Sequence, residues 1–160
     1  MTTASVTEIL DHAARTLEAL MHRYGSLARA YETTDPGKAE LAEFLCNREQ
    51  TTIEALERYR DDAHSNALGT HVRFGVAFPY STDDLELPEH PSLDELIELA
   101  QRTDALLEQL SERIQVYAAS RQLFEILHAI EELVGGRRRQ LSAVLQELER
   151  YEPSPKRSPE

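Results

Sequence analysis

Apolar residues recur after Ser5 at alternating steps of four and three positions. This spacing places them on one face of a helix of about seven turns, because an α-helix repeats every 3.6 residues. Ser5-Val-Thr-Glu8 is a capping box, which predicts that helix 1 begins there and extends over about 5–32. Its predicted inward positions are Leu10, Ala14, Leu17, Met21, Tyr24, Ala28 and Tyr31.

A second helix is predicted over about 36–64. Asp35-Pro36 supplies an N-cap followed by proline at the first helical position, where a backbone N–H is not needed. The inward candidates of helix 2 include Leu45, Glu49, Thr52, Leu56 and Ala63. The first two helices together predict a helical hairpin.

The second half of the chain repeats this pattern. Ser92-Leu-Asp-Glu95 is another capping box and predicts helix 3 over about 92–118, with a seam that follows that of helix 1 at an offset of 86 residues. Helix 4 is predicted over about 120–151. The predicted core positions are Leu96, Ala100, Thr103, Leu107, Leu110, Ile114 and Tyr117 in helix 3, and Leu123, Leu127, Ile130, Val134, Leu141, Leu145 and Leu148 in helix 4. We therefore expect an all-α four-helix bundle of two hairpins.

A long crossover, about 65–91, joins the two hairpins. Val72, Phe74, Val76 and Phe78 occupy alternate positions, which indicates a short strand with one apolar face. Either the strand lies over the bundle, or it pairs with its own copy in a symmetric dimer. The length suits one domain, 1–151, and the Pro- and Ser-rich residues 152–160 are expected to be disordered.

Charge and composition argue against several partners. The chain has 29 acidic and 17 basic residues, a formal net charge of −12, so its surface repels nucleic acid and anionic lipid. The beginning lacks a signal-peptide pattern, and no apolar run approaches membrane-spanning length. We therefore expect a cytoplasmic protein that binds neither nucleic acid nor membranes.

Cys46, the single cysteine, is expected to be a buried small hydrophobe rather than a nucleophile.

Two hairpins, a long crossover and a tyrosine seven residues beyond the middle of helix 1 resemble the ferritin-like superfamily, rubrerythrin-type bundles in particular. The closest stretches are 35–56 and 123–133, which look like the second and fourth helices of that family. Such bundles hold two metal ions, using one Glu from each of helices 1 and 3 and a Glu-x-x-His from each of helices 2 and 4.

The resemblance implies a degenerate ligand set in this chain. The Glu of helix 1 falls on Leu17 and that of helix 3 on Thr103, while the Glu-x-x-His motifs fall on Glu49-Gln-Thr-Thr52 and Glu131-Glu-Leu-Val134. The first residue of each motif matches, but two carboxylates without imidazoles are too few for a closed di-metal site. We therefore expect no cofactor and an apolar core in the middle of the bundle.

The two remaining carboxylates, Glu49 and Glu131, need an environment that tolerates charge. We expect them at the edge of the seam, where they reach water or an arginine such as Arg48, Arg137 or Arg138. The weaker alternative is an iron or manganese site that combines Glu49 and Glu131 with His128. His128 belongs to a literal Glu125-Ile-Leu-His128, although this motif comes two turns before the family position.

Gly135 and Gly136, followed by three arginines, interrupt the pattern of helix 4. Each glycine in a helix interior costs about 1 kcal/mol relative to alanine. One interpretation is a local bulge or the close approach of a neighbouring helix. The other is a site for an anion or an acidic partner, formed by Arg137, Arg138 and Arg139.

No Ser-His-Asp arrangement, phosphate-binding loop, dinucleotide fingerprint or Cys-x-x-Cys occurs in the sequence. We therefore predict no catalytic residues and a non-enzymatic ferritin-like bundle, an interaction or regulatory module that forms a homodimer and binds an unidentified protein partner. One alternative is a di-metal oxidoreductase or iron-handling protein of the same superfamily. Another is a bundle that binds a small apolar ligand in a cavity lined by Leu17, Met21, Thr52, Thr103 and Val134.

Overall fold

The computed structural model describes residues 2–62, 71–74, 85–118 and 120–151. In chain order these residues form β1 (Thr2–Ser5), α1 (Val6–Ala30), α2 (Pro36–Asp62), β2 (His71–Phe74), α3 (Leu93–Val116) and α4 (Arg121–Tyr151). Within these ranges, the prediction of an all-α class with four helices is confirmed. The predicted end of helix 2 at 63–64 and the tail 152–160 lie outside the described residues. None of the described helices combines the length and the apolar character needed to cross a bilayer.

Both predicted capping boxes are present. The Ser5 hydroxyl accepts a hydrogen bond from the Glu8 N–H at 3.1 Å, and the Ser5 N–H donates to the Glu8 carboxylate at 3.1 Å. Ser92 and Glu95 form the same reciprocal bonds at 3.1 and 2.9 Å. These bonds satisfy backbone N–H groups that a helix start otherwise leaves unpaired, and so they fix where α1 and α3 begin.

The burial of α1 and α3 shows that the hairpins repeat at an offset of 87 residues, not the predicted 86. This offset aligns the two capping boxes as well as the buried positions. The equivalent buried pairs are Ile9 and Leu96, Ala13 and Ala100, Leu17 and Asp104, Leu20 and Leu107, Tyr24 and Ser111, and Leu27 and Ile114. The residue of α3 that corresponds to Leu17 is therefore Asp104 rather than Thr103.

The core-facing side of α1 is rotated slightly from the predicted one. Ala13, Leu20 and Leu27 are buried, whereas the predicted Ala14, Met21, Ala28 and Tyr31 are half-buried. The prediction was wrong here because both lines of residues are apolar and both fit the alternating spacing.

The predicted core positions of the other three helices are mostly confirmed. Tyr117, Leu145 and Leu148 are half-buried, and Ala63 lies outside the described residues. The buried ones are Leu45, Glu49, Thr52 and Leu56 in α2, Leu96, Ala100, Thr103, Leu107, Leu110 and Ile114 in α3, and Leu123, Leu127, Ile130, Val134 and Leu141 in α4.

The crossover contributes a strand that pairs within the chain. β2 runs antiparallel to β1, with Val72 opposite Ala4, and both of these side chains are buried in the core. The described part of the predicted strand therefore lies over the bundle, while Val76 and Phe78 fall outside the described residues. The pairing with β1 was not predicted, because four residues with one apolar side chain give no clear strand pattern.

Candidate functional site

The centre of the bundle contains charged side chains, so the prediction of an apolar core there is wrong. Arg48, Glu49, Asp104 and Arg137 have relative exposures of 4%, 0%, 2% and 2%. Arg48 and Glu49 come from α2, Asp104 from α3 and Arg137 from α4. We call these four residues the ionic network. It connects both hairpins.

Arg137 makes most of the hydrogen bonds of the ionic network. Its Nη1 donates to Glu49 Oε1 at 2.5 Å and to Thr52 Oγ1 at 2.6 Å, and its Nη2 donates to Glu49 Oε2 at 3.3 Å. Its Nε donates to Asp104 Oδ1 at 2.8 Å. The planar guanidinium thus binds the Glu49 carboxylate through two of its nitrogens and the Asp104 carboxylate through the remaining nitrogen. Arginine provides this geometry and lysine does not.

Arg48 binds the other side of the same aspartate. Its Nη1 donates to Asp104 Oδ2 at 3.1 Å and to the Arg137 carbonyl oxygen at 3.4 Å, and its Nη2 donates to the Ala100 carbonyl oxygen at 3.5 Å. Its Nε lies 3.8 Å from Glu49 Oε1, too far for a hydrogen bond, and has no other partner among the described residues. Asp104 is therefore shared by two arginines.

The charges of the ionic network balance, which is what allows them to be buried. A lone charge in a core is very unfavourable, whereas two cations against two anions compensate one another. Burial, followed by the charge of Arg137, lowers the pKa of Arg48. Burial also disfavours the charged form of Arg137. The contacts of the Arg137 guanidinium with Glu49 and Asp104 outweigh this effect, so the pKa of Arg137 is raised. Arg137 is thus the better stabilised of the two cations.

The hairpin repeat explains how these residues meet. Buried positions of α2 recur 85 residues later in α4: Leu41 and Ile126, Ala42 and Leu127, Leu45 and Ile130, Glu49 and Val134, Thr52 and Arg137, and Leu56 and Leu141. Arg137 therefore stands where Thr52 stands in the first hairpin, and Val134 rather than Glu131 corresponds to Glu49. Sequence reasoning missed Arg48 and Asp104 as core residues. Aligning the two capping boxes would have placed Asp104 in the seam.

The predicted metal-ligand candidates lie in different environments. Glu49 is fully buried against Arg137, so it reaches an arginine as expected but from the core rather than the edge of the seam. Glu131 is exposed, and His128, whose side chain is 72% exposed, lies 3.1 Å from Glu132. Within the described ranges, no group of three His, Cys, Asp or Glu side chains could hold a metal ion.

The three consecutive arginines point to different partners. Arg137 is buried in the ionic network, Arg138 pairs with Glu108 on α3, and Arg139 is exposed. An added Cβ at Gly135 or Gly136 would lie 3.3 or 3.8 Å from the Arg139 guanidinium, the nearest described group in each case. α4 is continuous through both glycines, so neither a bulge nor a neighbouring helix accounts for them.

The residues predicted to line an apolar cavity are packed into the core. Leu17, Thr52, Thr103 and Val134 are buried and Met21 is half-buried. The Thr103 hydroxyl donates to the Leu99 carbonyl oxygen at 2.8 Å, and the Thr52 hydroxyl accepts from Arg137 at 2.6 Å. A guanidinium group therefore occupies the space beside Thr52.

Cys46 is half-buried rather than fully buried. Burial raises the pKa of its thiol, despite the opposing charge of Arg29. The thiolate, which is the nucleophilic form, is therefore disfavoured at neutral pH, in line with an inert role.

The Tyr24 side chain is fully buried, and its hydroxyl has no hydrogen-bond partner among the described residues. Burial, assisted by the charge of Glu49, raises its pKa above the ordinary value of about 10. The unfolded chain should therefore lose this proton first, so the stability associated with Tyr24 is intact below about pH 10 and declines above it.

We expect Tyr24→Phe to leave the free energy of unfolding at neutral pH unchanged or higher by about 1 kcal/mol, because it removes an unsatisfied buried group. Above pH 10 the variant should lose less stability than the wild type, by up to about 1.4 kcal/mol per pH unit. Urea denaturation at neutral and alkaline pH measures both effects. A clear loss of stability at neutral pH would show that the hydroxyl is bonded after all.

Comparisons of the chain with protein-family models, with curated protein sequences and with solved structures gave no significant match in any of the three.

Proposed function

We propose that this chain is a non-enzymatic, ferritin-like four-helix bundle that acts as an interaction or regulatory module, with the ionic network in place of a metal centre. The observation that carries the proposal is the set of bonds from the Arg137 guanidinium to Glu49, Thr52 and Asp104 in the middle of the bundle.

The hairpin repeat supports this proposal. If the ligand positions that the resemblance implies in the first hairpin, Leu17, Glu49 and Thr52, are carried to the second with offsets of 87 and 85 residues, they fall on Asp104, Val134 and Arg137. Of these six positions, two are carboxylates, none is an imidazole and one is an arginine. A guanidinium has five N–H donors and no acceptor, so it cannot ligate a metal but can neutralise the carboxylates that a metal would otherwise neutralise.

The contacts of the network also argue against catalysis at this centre. Both carboxylates are held by guanidinium groups, and all four charged residues are withdrawn from solvent. A general base or nucleophile needs access to substrate, which these side chains do not have. A rigid, acidic bundle surface is then left as the functional part of the protein. Association into a homodimer stays a prediction.

Metal analysis tests the proposal. Protein purified without chelators or an affinity metal column, then incubated with Fe²⁺ or Mn²⁺ and desalted, should contain no metal in stoichiometric amount and should not accelerate Fe²⁺ oxidation. About two metal ions per chain, lost in Glu49→Ala, would refute it in favour of a di-metal oxidoreductase. Glu131→Ala is the matched control, because Glu131 is exposed and lies outside the ionic network.

A further inference from the structure

A cleft of about 290 Å³ lies on the surface between α3 and α4. Each helix lines it with residues at positions i, i+3, i+4 and i+7, which share one face of a helix. From α3 these are Glu108, Ser111, Glu112 and Gln115. From α4 they are Glu131, Val134, Gly135 and Arg138.

The charges along the cleft are unequal at its two ends. Arg138 pairs with Glu108 and closes one end. Because α3 and α4 run antiparallel, Gln115 and Glu131 then lie towards the other end, with Glu112 between. Neither Glu112 nor Glu131 forms an ion pair with any residue that the structure describes. The cleft therefore carries two carboxylates without an ion-pair partner, Glu112 in its middle and Glu131 towards its open end.

The floor of the cleft combines apolar surface with one free polar group. Val134 is buried beneath it, and Gly135 adds no side chain. Ser111 lines the cleft with a relative exposure of 4%, yet its hydroxyl makes no hydrogen bond within the described part of the chain. The described buried side-chain atoms that lack a hydrogen bond are the Tyr24 hydroxyl and the Arg48 Nε, so the Ser111 hydroxyl itself opens onto the cleft, where it can accept a hydrogen bond from an N–H group of an occupant.

We propose that this cleft binds a lysine or arginine side chain of a protein partner. The alkyl stem lies on Val134 and Gly135, as the stems of these residues do on apolar surface elsewhere. The charged head lies near the carboxylates of Glu112 and Glu131 and donates to the Ser111 hydroxyl. This inference rests on the proposed role as an interaction module and specifies the chemistry of the partner.

Charge complementarity favours a basic protein partner over other cations. The net charge of −12 attracts a basic protein surface at long range, and the cleft makes the short-range contact with one of its cationic side chains. A free polyamine suits the cleft less well, because Arg138 closes the end where a second ammonium group would lie.

A side chain bound in the cleft would also explain why one of the two glycines of α4, Gly135, lacks a side chain. Gly135 lines the cleft, so a Cβ there would occupy part of its floor. The only other described obstacle to that Cβ is the end of the flexible Arg139 side chain, at 3.3 Å. Gly136 does not line the cleft and serves as a matched control.

The test is the affinity of a short lysine-rich peptide for the full chain, measured by calorimetry at low ionic strength. Glu112→Gln combined with Glu131→Gln should weaken binding about tenfold, since charge-assisted bonds are lost. Gly135→Ala should weaken it severalfold and Gly136→Ala should not. Glu147→Gln combined with Glu149→Gln removes the same charge from exposed positions more than two turns away, and should change the affinity by less than about twofold.

Melting temperatures separate these effects from misfolding. Gly135→Ala and Gly136→Ala should both melt at a higher temperature than the wild type, because alanine favours helix.

Equal weakening of peptide binding by the Glu147/Glu149 double variant, or no measurable peptide binding by the wild type, would overturn the proposal. Tighter binding of spermidine than of the peptide at the same residues would overturn the assignment to a protein side chain. Metal in the wild type would refute the proposed function alone, and absent peptide binding by metal-free protein would refute the cleft alone.

Discussion

Replacing Arg137 by methionine is expected to lower the free energy of unfolding by about 3–5 kcal/mol, the usual cost of removing one partner from a buried ion pair. Methionine fills a similar volume, so the effect reports the lost charge rather than a cavity. Glu49 would keep only the Arg48 Nε, at 3.8 Å, and Asp104 would lose its bond to the Arg137 Nε. Two buried carboxylates would then share one cation.

Urea denaturation followed by circular dichroism measures this change, with Arg138→Met as the matched control. Arg138 is the next residue of the same helix and also pairs with a glutamate of α3, but on the exposed surface. Exposed pairs contribute at most about 1 kcal/mol, so the control should remain near the wild type. Similar small losses in both variants would show that the ionic network is hydrated and not buried as described.

Replacing all four members of the ionic network is expected to be far less harmful than replacing one. In Arg48→Met, Glu49→Met, Asp104→Leu and Arg137→Met combined, the free energy of unfolding should equal that of the wild type or exceed it by about 1–4 kcal/mol. The attraction within the network is largely offset by the cost of removing four charged groups from water. Thr52, which loses its Arg137 donor, keeps a bond from its own hydroxyl to the Arg48 carbonyl oxygen at 3.0 Å.

The same denaturation experiment applied to the quadruple variant tests this expectation. A quadruple variant less stable than the single Arg137→Met would contradict it, because the network would then stabilise the fold in its own right. The comparison therefore separates the value of the intact network from the cost of breaking it.

The helices could be predicted from the sequence because the signals that define them are local. The capping boxes at Ser5 and Ser92 involve residues three positions apart, and the apolar spacing fixes one face of each helix. The spacing failed to define the face of α1 because Ala13 and Ala14 are both apolar. The strand β1 was missed because its four residues carry one apolar side chain and because its partner lies about 70 residues away, a relation that no local pattern contains.

The ionic network was harder to predict because charged residues in a sequence are ordinarily assigned to the protein surface. Arg48 adjoins Glu49, and a single helix gives no sign that both are buried. Their burial depends on Asp104 and Arg137, which come from two other helices and neutralise them only after the hairpins have docked. Of the two carboxylates that the resemblance selected, Glu49 is buried and Glu131 is exposed, and the buried residue of α4 that corresponds to Glu49 in the hairpin repeat is Val134.

The ionic network also determines how the two hairpins can slide along one another. Leucine-rich faces tolerate displacement by one helical turn, because apolar side chains meet other apolar side chains after the shift. Such a shift of α4 would move Arg137 away from Glu49 and bring Val134 or Leu141 towards the carboxylate, leaving charges in the core without partners. The ionic network therefore raises the free energy of a misaligned bundle by much more than it lowers the free energy of the correctly aligned one. Its main contribution is a unique alignment of the two hairpins.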